Sequence, residues 1–290
     1  MAKYFNRHFL KTLALSTGVG AVSGYAVYSF LGSNDTEVLV QNGIEQRYYK
    51  IFENKETKWD SNWDKRQSKS LVKPVDSNKS DLQDKYDKKI ESQKSRAARH
   101  IFLIRHGQYN LSGETDGDRK LTELGRKQAL FTGERLSVLN FPWTTITQST
   151  LTRAMETCSI IQTQLPANIP LTSSDLLTEG APIQPDPPNK HWKPELYQFF
   201  RDGARIEAAF RKYIHRAPPE QKEDSYELIV CHANVIRYFV MRALQLNPEA
   251  WLRLSLDHAS ITWLCIYPNG RVSLRCYSNS GYMPPEAISR

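Results

Sequence analysis

Cysteine is scarce in this chain of 290 residues: Cys158, Cys231, Cys265 and Cys276 are the only four. None forms a C-x-x-C pair, and none stands with histidine at zinc spacing. That pattern argues against structural zinc and against a disulfide framework. Cys158, Cys231 and Cys265 lie in apolar surroundings and read as reduced, buried thiols. No metal and no cofactor is expected. An internal repeat is missing, and so is a dense basic patch. Net charge is +8, but Lys and Asp/Glu interleave through residues 53–99. Such a stretch reads as a solvated mixed-charge surface, so no nucleic-acid partner is expected.

Asp and Glu are absent from residues 1–34. Lys3, Arg7 and Lys11 precede an uncharged stretch from Thr12 to Asn34, whose apolar heart runs from Leu13 to Leu31. About 20 apolar residues cross a bilayer as a helix. The stretch therefore predicts a single-pass segment through residues 12–32, with the flanking charges of a mitochondrial signal-anchor. A cleaved secretory signal is the competing reading, but its apolar core would be shorter and no A-x-A site is evident. Gly20 and Gly24 form a G-x-x-x-G that would let two such helices approach closely.

Residues 35–98 form a polar arm rich in Lys, Asp, Ser and Asn, with little apolar periodicity. The arm is expected to be a linker or a partly ordered segment. One patch breaks its composition: Trp59-Asp60-Ser61-Asn62-Trp63-Asp64. The i,i+4 spacing of the tryptophans puts both on one helix face, and equally on one strand face. Two large aromatics projecting together suggest docking, either onto a groove of another chain or onto the chain's own domain.

Residues 99–290 carry nearly all the strand and helix signals. Strand Ile101–Ile104 leads to a Gly- and Asp-rich loop at 112–118. Leu121-Thr122-Glu123-Leu124-Gly125 then opens a helix, with Thr122 as its N-cap. A β-branched strand at Thr144–Gln148 passes through Ser149-Thr150 into a helix from Leu151 to about Gln164. Leu171–Leu177 leads to Glu179-Gly180, and a Pro-rich stretch at 182–194 must be loop. A helix is expected around Ala204–His215. Strand Glu227–Val230 ends at Cys231-His232, and Asn234 caps a helix to Leu244. Strands Ser260–Ile266 and Arg271–Cys276 join through Pro268-Asn269-Gly270, a hairpin signal. Strands alternating with helices predict an α/β fold, a three-layer α/β/α sandwich around a mostly parallel sheet, preceded by the membrane anchor and the arm.

Open α/β sheets keep their ligand sites at the C-terminal strand edge. Arg105-His106-Gly107 follows the first strand directly, Arg153 follows the second, Glu179 the third and His232 the fourth. Two His, two Arg and one Glu at one edge suit phosphoryl transfer. Fixed cations stabilise the charge that spreads over the phosphoryl oxygens. Arg105 and Arg153 offer paired N–H donors, and His232 adds another. His106 is the candidate nucleophile, and Glu179 the candidate acid and base. Each residue also has a plainer reading: Arg153 as a surface helix residue, Glu179 as a turn residue, His232 as a core histidine. His258, in an apolar run, reads as structural.

Arg105-His106-Gly107, Leu121-Thr122-x-x-Gly125-x-x-Gln128-Ala129, Ser149-x-x-x-Arg153-Ala154-x-x-Thr157, Leu177-x-Glu179-Gly180 and His232 together resemble the histidine phosphatase (phosphoglycerate mutase-like) superfamily over residues 99–280. Three further stretches resemble its mitochondrial serine/threonine protein phosphatases: Glu179-Gly180-Ala181-Pro182-Ile183, His191-Trp192-Lys193-Pro194 and His258-Ala259-Ser260-Ile261-Thr262-Trp263. Trp59-Asp60-Ser61-Asn62-Trp63-Asp64 and the N-terminal anchor resemble that group too. The resemblance implies His106 as nucleophile, Glu179 as acid/base, and Arg105, Arg153 and His232 as phosphate ligands. It implies phosphoserine or phosphothreonine protein substrates, and a homo-oligomer, dimer or larger, that activates the enzyme through Trp59, Asp60, Asn62, Trp63 and Asp64. It also implies regulation of a stress-activated MAP kinase kinase kinase from the mitochondrial outer membrane, with the inner membrane as the alternative. Two other functions stand beside this one: a small-metabolite phosphatase or mutase, and a weakly active oligomeric adaptor. The superfamily usually has small residues on both sides of the second histidine. Here they are Cys231 and Ala233, and the larger Cys231 raises the expectation of crowding at the phosphate pocket.

Overall fold

Among the described residues, two helices precede the first strand: α1 (Ser68–Leu71) and α2 (Ser80–Ser92). The computed structural model describes residues 59–74 and 80–290, and Trp59–Arg290 behave as one unit. The expected anchor (1–34), its membrane span (12–32), the Gly20/Gly24 pair and the arm up to residue 58 lie outside the described residues. No described helix is long and apolar enough to cross a membrane.

In chain order the rest comprises β1 (Arg99–Arg105), α3 (Glu123–Leu139), β2 (Trp143–Ser149), α4 (Thr152–Gln162), β3 (Leu171–Ser174), α5 (Leu196–Tyr213), β4 (Ser225–Cys231), α6 (Ala233–Ala243), β5 (Ile261–Ile266) and β6 (Val272–Asn279). The strands lie side by side as β3-β2-β4-β1-β5-β6. The pairs β1–β4, β2–β4 and β2–β3 are parallel, while β5 and β6 pair antiparallel. Ile101, Phe102, Leu103 and Ile104 of β1 are all fully buried. A strand apolar on both sides must be covered on both, because successive side chains alternate across the sheet. Ile101 and Leu103 pack with Ile206 and Phe210 of α5 and with Ile236 and Phe239 of α6. Phe102 and Ile104 pack with Leu136 of α3 and with Cys158 and Ile161 of α4. The fold is therefore the expected α/β/α sandwich.

Thr122 caps α3 as expected, its hydroxyl accepting from the Gly125 N–H at 3.0 Å. Two helix starts differ from the sequence reading. Helix α5 begins at Leu196, well before Ala204, because Glu195 and Gln198 form a capping box immediately after Pro194. The N-cap of α6 is His232, not Asn234. The Asn234 side chain is engaged elsewhere, donating to the Gly180 carbonyl at 2.9 Å.

The tryptophan patch is neither helix nor strand. Residues 61–64 form a turn, because the Asp60 carboxylate accepts from the Asn62 N–H at 2.8 Å and the Asp64 carboxylate from the Arg66 N–H at 3.2 Å. Such side-chain bonds to nearby backbone compete with regular structure. The turn seats on the chain's own domain. Trp63 lies 5.9 Å from the Phe210 ring, and its indole N–H donates to the Gly270 carbonyl at 2.8 Å. Gly270 accommodates that approach with φ +86° at the tip of the β5–β6 hairpin. Gln245 closes both backbone groups of Asp60. Asp64 and Arg216 form an ion pair whose side chains are 2% and 4% exposed.

Removing one partner of a buried ion pair leaves an uncompensated charge and costs about 3–5 kcal/mol. Asp64→Ala is therefore expected to lower the unfolding free energy in urea by about that amount, and Asp64→Ala with Arg216→Met by less. A loss under about 1 kcal/mol in the single variant would show that segment 59–72 is not seated on the domain in solution.

Candidate active site

The parallel strands deliver the chemistry to one edge. Arg105 closes β1 opposite Cys231, the last residue of β4. His106 follows, its N–H donating to the Cys231 carbonyl at 3.0 Å, and His232 follows Cys231. The two imidazoles stand 5.1 Å apart. Strand β2 ends at Ser149 and feeds α4, which carries Arg153 on its buried face. After β3, a turn of 3-10 helix at Asp175–Leu177 leads to Glu179. Gly107 and Gly125 allow this edge to close, since a Cβ on either would collide with the backbone of the other segment.

His106 is 2% exposed, and its Nδ1 lies 2.8 Å from the Gly107 carbonyl oxygen. A carbonyl only accepts, so Nδ1 carries the proton and Nε2 keeps a free lone pair. Arg153 donates weakly to that lone pair, Nε to Nε2 at 3.4 Å. Burial, then the neighbouring His232, Arg105 and Arg153, hold His106 well below the ordinary histidine range, so the ring is neutral. The site thus holds an unprotonated imidazole nitrogen against fixed cations.

Arg153 stacks over Tyr109 at 4.7 Å and faces Asp116 at 3.6 Å. Arg105 donates through Nη1 to the Leu256 carbonyl and through Nη2 to His258 at 2.9 Å, and its Nε is buried without a partner among the described residues. Burial pushes Arg105 down to about 10, which leaves it charged at neutral pH. His232 is fully buried. Its Nε2 meets the Ser149 hydroxyl at 2.8 Å, while its Nδ1 has no partner among the described residues. Burial raises the half-buried Glu179 carboxyl above its usual range. The Gly180 and Asn234 N–H groups and the nearby Arg153 and Arg105 oppose that rise. An open cleft of about 550 Å³ leads to the site, lined by Tyr109, Asp116, Arg119, Arg153, Glu179 and Trp192 among others.

All five candidates, Arg105, His106, Arg153, Glu179 and His232, gather at this edge. The patch Trp59–Asp64 is not among the residues that line the cleft. Cys231 does not crowd the pocket: its side chain packs among the apolar residues beneath α5 and α6, and burial raises its thiol. Three supporting residues escaped the sequence reading. Asn234 anchors Glu179 and Gly180, Ser149 holds His232, and Asp116 ties Arg153 to the loop before α3 while accepting from the Thr152 N–H and hydroxyl. Ser149 at the β2 terminus and Asn234 next to His232 were the available signals. Among the described residues, no three His, Cys, Asp or Glu gather in metal-holding geometry.

The profile of the histidine phosphatase superfamily (branch 1) matches residues 101–182 and 184–279. The chain is 56% identical over 232 residues to the mitochondrial serine/threonine-protein phosphatase PGAM5 of Rattus norvegicus, covering 80% of each chain. It is 55% identical over 232 residues to the protein of that name from Homo sapiens, again 80% of each chain. With the Drosophila mojavensis protein it is 48% identical over 280 residues, 96% of each chain. Among solved structures, a phosphoglycerate mutase from Plasmodium falciparum is 30% identical with a TM-score of 0.47, covering 67% of this chain and 99% of that one.

The buried histidines make stability acid-sensitive. His106 and His232 sit well below 6.5, His215 near 4 and His258 near 3. In the unfolded chain each takes up a proton near pH 6.5. Below that pH the unfolded state binds more protons than the native one, so stability falls as pH falls; above about pH 7 both states are neutral and the effect vanishes. Each group contributes up to about 1.4 kcal/mol per pH unit in its window, and the raised Glu179 carboxyl opposes with one proton. The urea midpoint is expected to drop steadily from pH 7 to pH 5. A flat profile would mean that these histidines are not held neutral.

Proposed function

The chain belongs to the histidine phosphatase superfamily, and from that premise we propose that it is a serine/threonine protein phosphatase that works through a phosphohistidine on His106. The observation that carries this reading is the His106 tautomer. Nδ1–H is committed to the Gly107 carbonyl, so Nε2 presents its lone pair within reach of Arg153.

The chemistry then runs in two displacements. His106 Nε2 attacks the phosphorus in line, forming a P–N bond as the P–O bond to the serine or threonine oxygen breaks. Glu179, whose carboxyl burial raises above its usual range, gives its proton to the departing oxygen. The resulting carboxylate takes a proton from water, whose oxygen attacks the phosphorus and breaks the P–N bond. Inorganic phosphate leaves and Glu179 is protonated again. Arg105 and Arg153 hold the equatorial oxygens. In this scheme the Ser149 hydroxyl, 2.8 Å from His232 Nε2, is assigned as the donor of that pair, so that Nδ1–H of His232 serves as a further donor to the phosphate.

Two observations favour a protein substrate over a small metabolite. The cleft is open, and the start of α5 beside it exposes Leu196 (72%), Tyr197 (59%) and Phe200 (85%). Exposed apolar side chains clustered at a site mark macromolecular contact. A mitochondrial location is supported by the names of the relatives and by the signal-anchor pattern. Membrane insertion through residues 12–32 is supported by the apolar stretch Leu13–Leu31, while its placement at the outer membrane, activation by oligomerisation through Trp59–Asp64 and action on a stress-activated MAP kinase kinase kinase are supported by the sequence resemblance alone.

The full chain is expected to release phosphate from a phosphothreonine peptide in the presence of EDTA, and His106→Ala to bring turnover to background. Turnover in His106→Ala equal to an active wild type would exclude the phosphohistidine route. Wild-type turnover at the His106→Ala background would favour the adaptor reading. Trp59→Ala combined with Trp63→Ala is expected to reduce the assembly mass measured by light scattering. An unchanged mass would leave both tryptophans with intrachain packing only.

A further inference from the structure

His258 has no part in the chemistry above, yet it is 6% exposed and its ring lies 5.9 Å from the His106 ring. Its Nε2 is 2.9 Å from Nη2 of Arg105. A guanidinium only donates, so His258 Nε2 must accept and the proton must sit on Nδ1. Nδ1 lies 3.0 Å from the Ser289 hydroxyl oxygen, which accepts that proton. The same oxygen accepts from the Gln128 side chain at 2.8 Å. Gln128 in turn accepts from the Gln108 N–H at 2.9 Å, two residues beyond the nucleophile. The main chain locks the arrangement, because the His258 N–H donates to the Ser289 carbonyl at 2.9 Å. The other guanidinium nitrogen, Nη1, is held by the Leu256 carbonyl, so both terminal nitrogens of Arg105 are anchored from one loop.

We propose that His258, kept in its Nδ1–H tautomer by Ser289, is a positioning residue that orients Arg105 for the phosphate. The proposal rests on the reading of Arg105 as a phosphate ligand. A guanidinium has three nitrogens in one plane, and fixing two of them sets the direction of the third. In Arg105 that third nitrogen, Nε, is the buried one without a partner among the described residues. An imidazole acceptor suits this task better than a carboxylate. It fixes the plane without adding a negative charge that would oppose the incoming dianion. Burial and then the Arg105 cation hold His258 near 3, so it remains a neutral acceptor throughout the physiological range. Segment 283–290 thereby gains a role at the site although it lines no part of the cleft. Met283 and Ala287 bury against Ala259 next to His258, and Ser289 reaches the ring.

The test compares His258→Leu, which removes the acceptor, with His258→Gln, which keeps a carbonyl acceptor and an N–H donor. With the full chain and p-nitrophenyl phosphate, His258→Leu is expected to raise both KM and the inhibition constant for inorganic phosphate by about tenfold, the scale of one hydrogen bond to a charged group, and to lower kcat less. His258→Gln is expected to recover most of the loss, and Ser289→Ala to fall between. A folded His258→Leu protein with wild-type phosphate inhibition would overturn the proposal. If that variant does not fold, nitrogen-15 NMR of the wild-type protein decides: His258 must show a bare Nε2 and a protonated Nδ1, and the opposite tautomer overturns the assignment. Absence of phosphate binding in the wild-type protein would instead remove the reading of Arg105, and the proposal with it.

Discussion

The parallel pairing of β1 with β4 is the constraint on which the site depends. Its register runs from Arg99 opposite Ser225 to Arg105 opposite Cys231, and the last rung is the His106 N–H on the Cys231 carbonyl. That rung sets two imidazoles from opposite ends of the domain sequence side by side. A slip of one residue would turn Ile101, Leu103, Ile229 and Cys231 toward the wrong helices, and the burial on both faces forbids it. The buried apolar runs therefore hold the geometry of the candidate site, although none of their side chains takes part in it.

The electrostatics of the edge follow from what is buried there. Two arginines, two neutral histidines and one carboxyl with a raised titration range leave a surplus of donors over acceptors. In the proposed reaction a dianionic phosphoryl group supplies acceptors and negative charge, and Arg105 Nε and His232 Nδ1 are without a partner among the described residues. Desolvation, the first cause of each of these shifts, also keeps His106 neutral, the state the proposed attack by Nε2 requires. The same burial both costs stability in acid and readies the site for chemistry.

Much of this was legible in the chain. Ile101–Ile104 announced a strand buried on both faces, and Arg105-His106-Gly107 at its end announced the site. Thr122 announced its cap three residues before Gly125. Less legible were features in which side chains bind distant backbone. Asn234 reads as a cap but holds Glu179 and Gly180, and the tryptophan patch reads as an aromatic face but folds into a turn around Asp60 and Asp64. Helix α2 was less legible because its composition is mostly polar, although Leu82, Tyr86 and Ile90 recur at four-residue spacing in its sequence. The contact of His258 with Ser289 was not legible either, because the two residues are 31 positions apart.

The sequence by itself determined the layers, the strand ends and the five candidate residues placed at them, because apolar periodicity and strand-end position are local properties. Only the tertiary structure decided which nitrogen of His106 carries the proton, that Cys231 faces the core, and that Trp63 and Asp64 seat on the chain's own domain. These are matters of which atoms meet across dozens of residues, and hydrogen-bond direction and burial exist only once the chain has closed on itself.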